Sequence, residues 1–333
     1  MQSPFSYCMR NALPESFAPI RVDSGRNGTL FIAPEAGNEY CVRPKGRADR
    51  PATSCTGNRR GIGMVQATWI VMLWLAVSSA PAPPRVVPLL AAHAHNDYLH
   101  DPPLLQALGH GFASVEADVF LAGKELCVAH EPGRVTPERT LQSLYLDPLR
   151  RRARENGGRI YRTGSRFILL IDLKTQAGPT YQRLHEILAG YEDILTTFDS
   201  AGRKDKAVLV IVSGNRPLEL MRSQPIRYAG YDGRLTDLDS DLPGDMIPMI
   251  SDQWVKYFTW KGQGPIPAPE RQKLREIVRK AHAQGRLVRF WATPDAPSPA
   301  REAVWGELLA AGVDLLNTDD LKGLQEFLLQ HGR

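Results

Sequence analysis

Leu89-Leu-Ala-Ala-His-Ala-His-Asn-Asp-Tyr98 begins as an apolar run and ends in two histidines, an asparagine and an aspartate. A buried strand that breaks into polar, titratable residues at its C-terminal end is how an α/β barrel presents chemistry at its mouth. Later stretches repeat the pattern. Glu116-Ala-Asp118, His130 and Asp172-Leu-Lys174 each close a strand-like apolar run.

Outward from that stretch, strand-like and helical patterns alternate. Strands are expected at 86–95, 114–121 with a return strand at 125–130, 167–174, 207–213, 227–231, 246–250, 287–292 and 313–317. Helices are expected at 102–110, 137–156, 180–195, 217–223, 269–284, 299–311 and 321–331. Several open on Pro and close on Gly (Gly109, Gly285, Gly312), the usual punctuation of helix ends. The acidic, glycine-containing stretch 232–245 reads as a loop. Eight β-units in roughly 250 residues predict an α/β fold, a single-domain (β/α)8 TIM barrel over 83–333. A doubly wound open sheet is the alternative. No G-x-G-x-x-G follows the first strand and no Walker A sequence is present, so nucleotide-binding folds have no motif support.

The chain has 333 residues, 43% of them hydrophobic and 23% charged, with a formal charge of +5. The densest basic run, Arg150-Arg151-Arg152 with Arg154, falls late in a helical pattern, where cations complement the helix dipole. It reads as a solvated helix end, and no nucleic-acid partner is expected. Cys8, Cys41 and Cys55 lie in the first 63 residues, leaving Cys127 alone in the main body, in an apolar strand and without a disulfide partner.

Residues 1–63 are rich in Pro, Gly, Asn and Arg and show no sustained period. They read as a low-order leader added by start-site choice ahead of a true start at Met64, with a genuine disordered leader or a signal anchor as the alternatives. Residues 64–82 then resemble a signal peptide. The apolar core 67–77 is short for a membrane span of about 20 residues, and Ala80-Pro81-Ala82 offers an A-x-A-like cleavage site. The expectation is a secreted or periplasmic protein.

Strand side chains alternate, so residues two apart share a face. His93 pairs with His95, Glu116 with Asp118, and Asp172 with Lys174. The flanking Val115, Ala117, Val119, Ile171 and Leu173 suit packing under helices, which turns the charged faces inward. Carboxylates are costly to bury unless paired or bound to a cation. Glu116, Asp118 and Asp172 together make a hard oxygen site suited to Mg²⁺ or Ca²⁺. His95 and His130 flank it as candidate general base and general acid. A cation and Lys174 can neutralise a phosphoryl oxygen. The parts add up to phosphodiester cleavage.

The order His-Asn, Glu-x-Asp, Ala-His, Ile-Asp-Leu-Lys and Asn-Thr-Asp resembles the phospholipase C-like phosphodiesterase superfamily, over roughly 88–325. That group includes glycerophosphodiester phosphodiesterases and phosphatidylinositol-specific phospholipases C. The His-Asn-Asp-Tyr variant is most similar to the subgroup of altered inheritance of mitochondria protein 6. The resemblance implies a barrel, metal at Glu116, Asp118 and Asp172, acid–base work by His95 and His130, and attack by a substrate hydroxyl to give a cyclic phosphate. It implies a small-molecule or lipid phosphodiester substrate and allows contact with a membrane surface. Three departures bear on the substrate. His95-Asn96-Asp97 stands where glycerophosphodiesterases have His-Arg-Gly, which removes an arginine that grips phosphate. His130-Glu131 stands for His-Asp, and Asp172 for Glu.

Further candidates carry two readings each. Arg289, Trp291 and Thr293 share a face. Arg289 either supplies the phosphate contact that Asn96 cannot, or forms a structural ion pair. Trp291 either lines the pocket or packs in the core. Ser213 touches substrate or makes a turn, and Asp319 is a site residue or a buried cap. His93 raises a rival: His-x-His at the end of strand one also opens zinc amidohydrolase-type barrels. A barrel that binds lipid head groups or glycans without turnover is the non-enzymatic rival.

Overall fold

The computed structural model describes residues 86–163 and 166–332. The expected leader 1–63 and signal-peptide segment 64–82 lie outside them. Among the described residues the strands are β1 (Leu89–Ala94), β2 (Phe112–Ala122), β3 (Glu125–Val128), β4 (Phe167–Leu173), β5 (Thr197–Asp199), β6 (Gly202–Lys204), β7 (Val208–Gly214), β8 (Gly230–Gly233), β9 (Met249–Gln253), β10 (Leu287–Trp291) and β11 (Leu315–Thr318).

Eight of these close into a parallel barrel in the order β1-β2-β4-β7-β8-β9-β10-β11, with β11 pairing back onto β1. β3 runs antiparallel to β2 and extends its far end beyond the barrel wall. The expected TIM barrel is the fold. No described helix is long and apolar enough to cross a membrane.

Alternation along the strands separates two apolar cores. Val115, Ala117, Val119, Ile171, Leu173, Val288 and Phe290 face outward and pack with the surrounding helices. Ile168, Leu170, Leu209, Ile211, Met249 and Leu315 point inward and fill the lower barrel. Phe198 joins this inner core from the β5–β6 hairpin, an element that the sequence patterns did not show. Filling the lower half directs the inward-facing polar residues to the C-terminal ends of the strands.

Among the strands that begin later than expected, β8 and β9 show the physical cause. Arg227 and Phe198 exchange backbone hydrogen bonds of 2.8 and 2.9 Å, so β8 starts at Gly230 rather than at 227. Met246 and Ile247 donate to the Pro243 carbonyl, and Pro248 has no N–H, so β9 starts at Met249. The helix expected at 137–156 is also divided. A π-turn spans Gln142–Leu146, and the α-helix Asp147–Glu155 begins with Pro148 in its first turn, where a missing donor costs least.

Candidate active site

Register brings the polar residues to one level. Asp118 lies beside Asp172 across β2 and β4, and Asp172 beside Ser213 across β4 and β7. Glu116, one inward-facing position below Asp118, completes a cluster in which one carboxylate oxygen from each of the three acids lies within 4.8 Å of the others. Gly214 makes this possible. It adopts φ +67°, and a Cβ there would collide with Asp172 Oδ1.

Charge compensation is different at each acid. Glu116 accepts from Arg289 Nη2 at 2.6 Å and from His93 Nε2 at 3.3 Å. Burial, the largest single influence, would raise its pKa, but the Arg289 charge, the His93 hydrogen bond and the nearby histidines together outweigh burial and hold the carboxyl well below the usual range. Lys174 Nζ sits 3.1 Å from both Asp118 Oδ2 and Asp172 Oδ1. Burial lowers the Lys174 pKa, but the two carboxylates outweigh it and the net shift is upward. Asp118 is pushed up to about 6, first by burial and then by its acidic neighbours, against the pull of Lys174 and a Tyr98 hydrogen bond.

One atom is left over. Asp118 Oδ1 is buried and has no hydrogen-bond partner among the described residues. An uncompensated carboxylate oxygen in a cluster of three acids is costly unless a cation completes it. The donor set is all oxygen, so the residues fit a hard divalent ion. They would hold it through Glu116, Asp118 and Asp172.

The two histidines are oriented by neighbours on other elements. His95 Nδ1 lies 2.8 Å from Asp319 Oδ1, a contact made because β11 closes onto β1. Asp319 is itself fixed by its N–H donating to Asp295 at 2.8 Å. Burial lowers the His95 pKa, but the Asp319 hydrogen bond and the Glu116 charge outweigh it, so the shift is upward. The Tyr98 hydroxyl oxygen lies 2.6 Å from Asp118 Oδ2, 2.7 Å from Asn96 Oδ1 and 2.8 Å from His130 Nδ1. Its single proton serves the Asp118 carboxylate best, and His130 Nδ1–H then donates to the phenol oxygen. That leaves His130 Nε2 without a partner among the described residues. Asn96 takes φ +48°, a left-handed turn that asparagine tolerates, and it sends the chain out of the barrel. Asp97 points away from the cleft into the wall, where its Oδ2 accepts from Leu104 N at 2.7 Å and Tyr145 OH at 2.9 Å.

His95, Asn96, Glu116, Asp118, His130, Asp172, Lys174, Ser213, Arg289 and Trp291 line one cleft of about 230 Å³, so every site residue expected from the sequence meets there. Arg234, from the end of β8, lines it too and was not expected. Tyr98 was also missed, although it closes the His-Asn-Asp-Tyr stretch. Arg289 is buried and engaged by Glu116 and by Asn317 Oδ1 at 2.9 Å from Nε. The Ser213 hydroxyl donates to Asp232 Oδ2 at 2.7 Å. His93 is fully buried, with Nδ1 2.7 Å from Ser114 Oγ and Nε2 on Glu116, so neither ring nitrogen is free for zinc. Burial and the Arg289 charge hold it down at about 3, which keeps it neutral.

This geometry has relatives. Residues 84–232 match the model of the AIM6-like phosphodiesterase domain, and residues 288–322 match that of the glycerophosphoryl diester phosphodiesterase family. Altered inheritance of mitochondria protein 6 of Eremothecium gossypii is 32% identical over 275 residues, covering 73% of this chain and 71% of that protein. The chain belongs to the altered inheritance of mitochondria protein 6 family. The homologue from Arthroderma benhamiae is 30% identical over 267 residues, covering 73% of this chain and 84% of that family member. A glycerophosphoryl diester phosphodiesterase from Parabacteroides distasonis aligns with a TM-score of 0.45 at 16% identity, over 75% of this chain and 88% of that one. The family is the subgroup that the His-Asn-Asp-Tyr stretch resembled. Its domain description supports a phosphodiesterase.

Proposed function

We propose that this chain is a divalent-metal-dependent phosphoric diester hydrolase that uses His95 and His130 as its acid–base pair. One observation carries the reading. Two imidazoles, each engaged at Nδ1, share a cleft with three carboxylates, one of which has a buried oxygen with no partner among the described residues. Mg²⁺ or Ca²⁺ held by Glu116, Asp118 and Asp172 would supply positive charge to the phosphoryl oxygens.

The protein's own groups do the rest. A substrate hydroxyl next to the phosphate attacks phosphorus as one imidazole takes its proton. The P–O bond to the leaving group breaks as the other imidazole returns a proton to that oxygen, and a cyclic phosphate forms. Asp319 stabilises the imidazolium form of His95, and Lys174 adds charge beside the developing negative phosphate. The substrate class is a glycerophosphodiester or a phospholipid head group. Exposed Leu99, at the end of a 3-10 turn, and Leu105, at the start of the helix Leu105–Gly109, both follow His95 and support contact with a lipid surface. The apolar stretch 67–77 with Ala80-Pro81-Ala82 supports export.

The test is hydrolysis of an aryl phosphodiester with Mg²⁺, with Ca²⁺ and with EDTA, for the wild type and His95→Ala. Activity that needs one of the two ions and falls about 100- to 10,000-fold in His95→Ala supports the reading. Activity restored only by Zn²⁺ and lost in His93→Ala points to the zinc reading instead. A folded protein that binds ligand without turnover points to the non-catalytic one.

A further inference from the structure

A phosphodiester keeps a negative charge throughout its cleavage and needs a donor that can meet two oxygens at once. Bidentate recognition of that kind is what arginine does and lysine does not. Asn96 cannot supply it. Arg289 is buried, with Nη2 on Glu116 at 2.6 Å and Nε on Asn317 at 2.9 Å, so the edge formed by those two nitrogens is spent inside the barrel. Lys174 lies between two carboxylates at 3.1 Å each.

Arg234 is in a different state. Its backbone N–H donates to Asp237 Oδ2 at 2.7 Å, which fixes where the side chain leaves the chain. Nη1 is fully used, donating to Asp232 Oδ2 at 2.6 Å and to the Ser251 carbonyl at 3.0 Å. Asp232 is completely buried and also receives the Ser213 hydroxyl, so it is a rigid anchor. The opposite edge is almost unspent. Nη2 makes one long contact, 3.3 Å to Ser213 Oγ, and Nε makes no hydrogen bond among the described residues. The side chain is 21% exposed and lines the cleft that holds His95 and His130.

We propose that Arg234 is the phosphate-binding arginine of this cleft, presenting its Nε–Nη2 edge to two non-bridging oxygens of the substrate phosphate. The arginine that His95-Asn96 lacks is thus supplied from the other side of the barrel, at the end of β8. The inference rests on the reading of the cleft as a phosphodiester site and adds the group that orients the diester. Anchored at Nη1, the guanidinium is ordered before substrate arrives, so little side-chain freedom is lost on binding. The ligand class is a phosphate group with two free non-bridging oxygens, which diesters, monoesters and inorganic phosphate share.

The experiment is calorimetric titration of inorganic phosphate into the Mg²⁺-saturated wild type, Arg234→Lys and Arg234→Gln. The KM and kcat of each for an aryl phosphodiester are measured alongside, and folding is checked by circular dichroism. Arg234→Gln is expected to weaken phosphate binding by about 10- to 100-fold, the scale of one or two charge-assisted hydrogen bonds. Arg234→Lys keeps the charge and a partner for Asp232 but loses the fork, and a loss of about 5- to 10-fold is expected. KM rises in parallel. Phosphate affinity and KM within about 2-fold of wild type in folded Arg234→Gln overturn the proposal. If Arg234→Gln does not fold, the Lys variant decides alone, and unchanged values there overturn it. A wild type that hydrolyses diesters with these values unchanged in the variants removes this inference only. A wild type that neither binds phosphate nor hydrolyses diesters removes the underlying reading as well.

Discussion

Replacing Arg289 by methionine tests how the acidic cluster is held together. Arg289 and Glu116 are both buried, 3% and 6% exposed, and meet at 2.6 Å. Two unit charges about 4 Å apart attract by about 4 kcal/mol at an effective dielectric of about 20. The substitution removes that attraction and the hydrogen bonds to Asn317, but also the cost of burying the guanidinium. Breaking one half of a buried pair typically costs about 3–5 kcal/mol, because the other charge stays behind. Arg289→Met should therefore lose about 3–5 kcal/mol at pH 7, read as a fall in the urea midpoint at unchanged slope. Adding Glu116→Gln removes the stranded charge and should restore about 2 kcal/mol or more. The pH dependence should also reverse. In the wild type Arg289 holds the Glu116 pKa below its unfolded value, so this contribution is present above the unfolded pKa and lost as pH falls through the folded one. In Arg289→Met burial dominates, the folded pKa rises above the unfolded one, and stability is recovered as pH falls. EDTA must be present throughout, because a bound cation would replace the lost charge. A variant within about 1 kcal/mol of wild type, or a double variant no more stable than Arg289→Met, refutes the reasoning.

Asp97 carries a second pH effect of known sign. Burial raises its pKa to about 6 in the folded state, above its unfolded value, so its contribution favours folding as pH falls through that window. A shift of about two units corresponds to about 3 kcal/mol. Between pH 7 and pH 4.5 the wild type should gain about 2 kcal/mol relative to Asp97→Asn, with the rest appearing only below the unfolded pKa, and parallel urea midpoints would contradict it. Tyr98→Phe removes the group between Asp118 and His130, and should cost about 1–2 kcal/mol in stability and lower kcat more than it raises KM. Equal kcat in the two proteins would show that His130 needs no anchor. Gly214→Ala forces a side chain onto φ +67° and against Asp172, and calorimetry should show divalent-ion affinity reduced at least about 10-fold in a folded protein.

Much of the site was legible because strands have a period of two. Val115, Ala117 and Val119 were recognisable as outward-facing, which turned Glu116 and Asp118 inward, and the barrel has them so. The same argument brought Arg289 and Trp291 to the cleft. It could not choose between the two readings of Arg289, because the choice depends on distance to Glu116 across the barrel. Arg234 was illegible for a different reason. The strand before it was expected to end at 231, and its start was displaced by the Arg227–Phe198 bridge to a hairpin that periodicity did not reveal. Tyr98 and Asp319 are the last residues of motifs that were recognised. Their roles depend on the left-handed turn at Asn96 and on closure of β11 against β1, and neither is written in local sequence.

The central claim, that this cleft cleaves phosphodiesters with a cation held by its three acids, is tested most directly by phosphorus NMR. A glycerophosphodiester is incubated with Mg²⁺ or Ca²⁺ and either the wild type or Asp118→Asn. The account predicts that wild type converts the diester resonance to a cyclic phosphate or a monoester, that EDTA stops the conversion, and that Asp118→Asn leaves the diester intact. A diester resonance unchanged by folded, cation-saturated wild type, or consumed equally by Asp118→Asn, would contradict it.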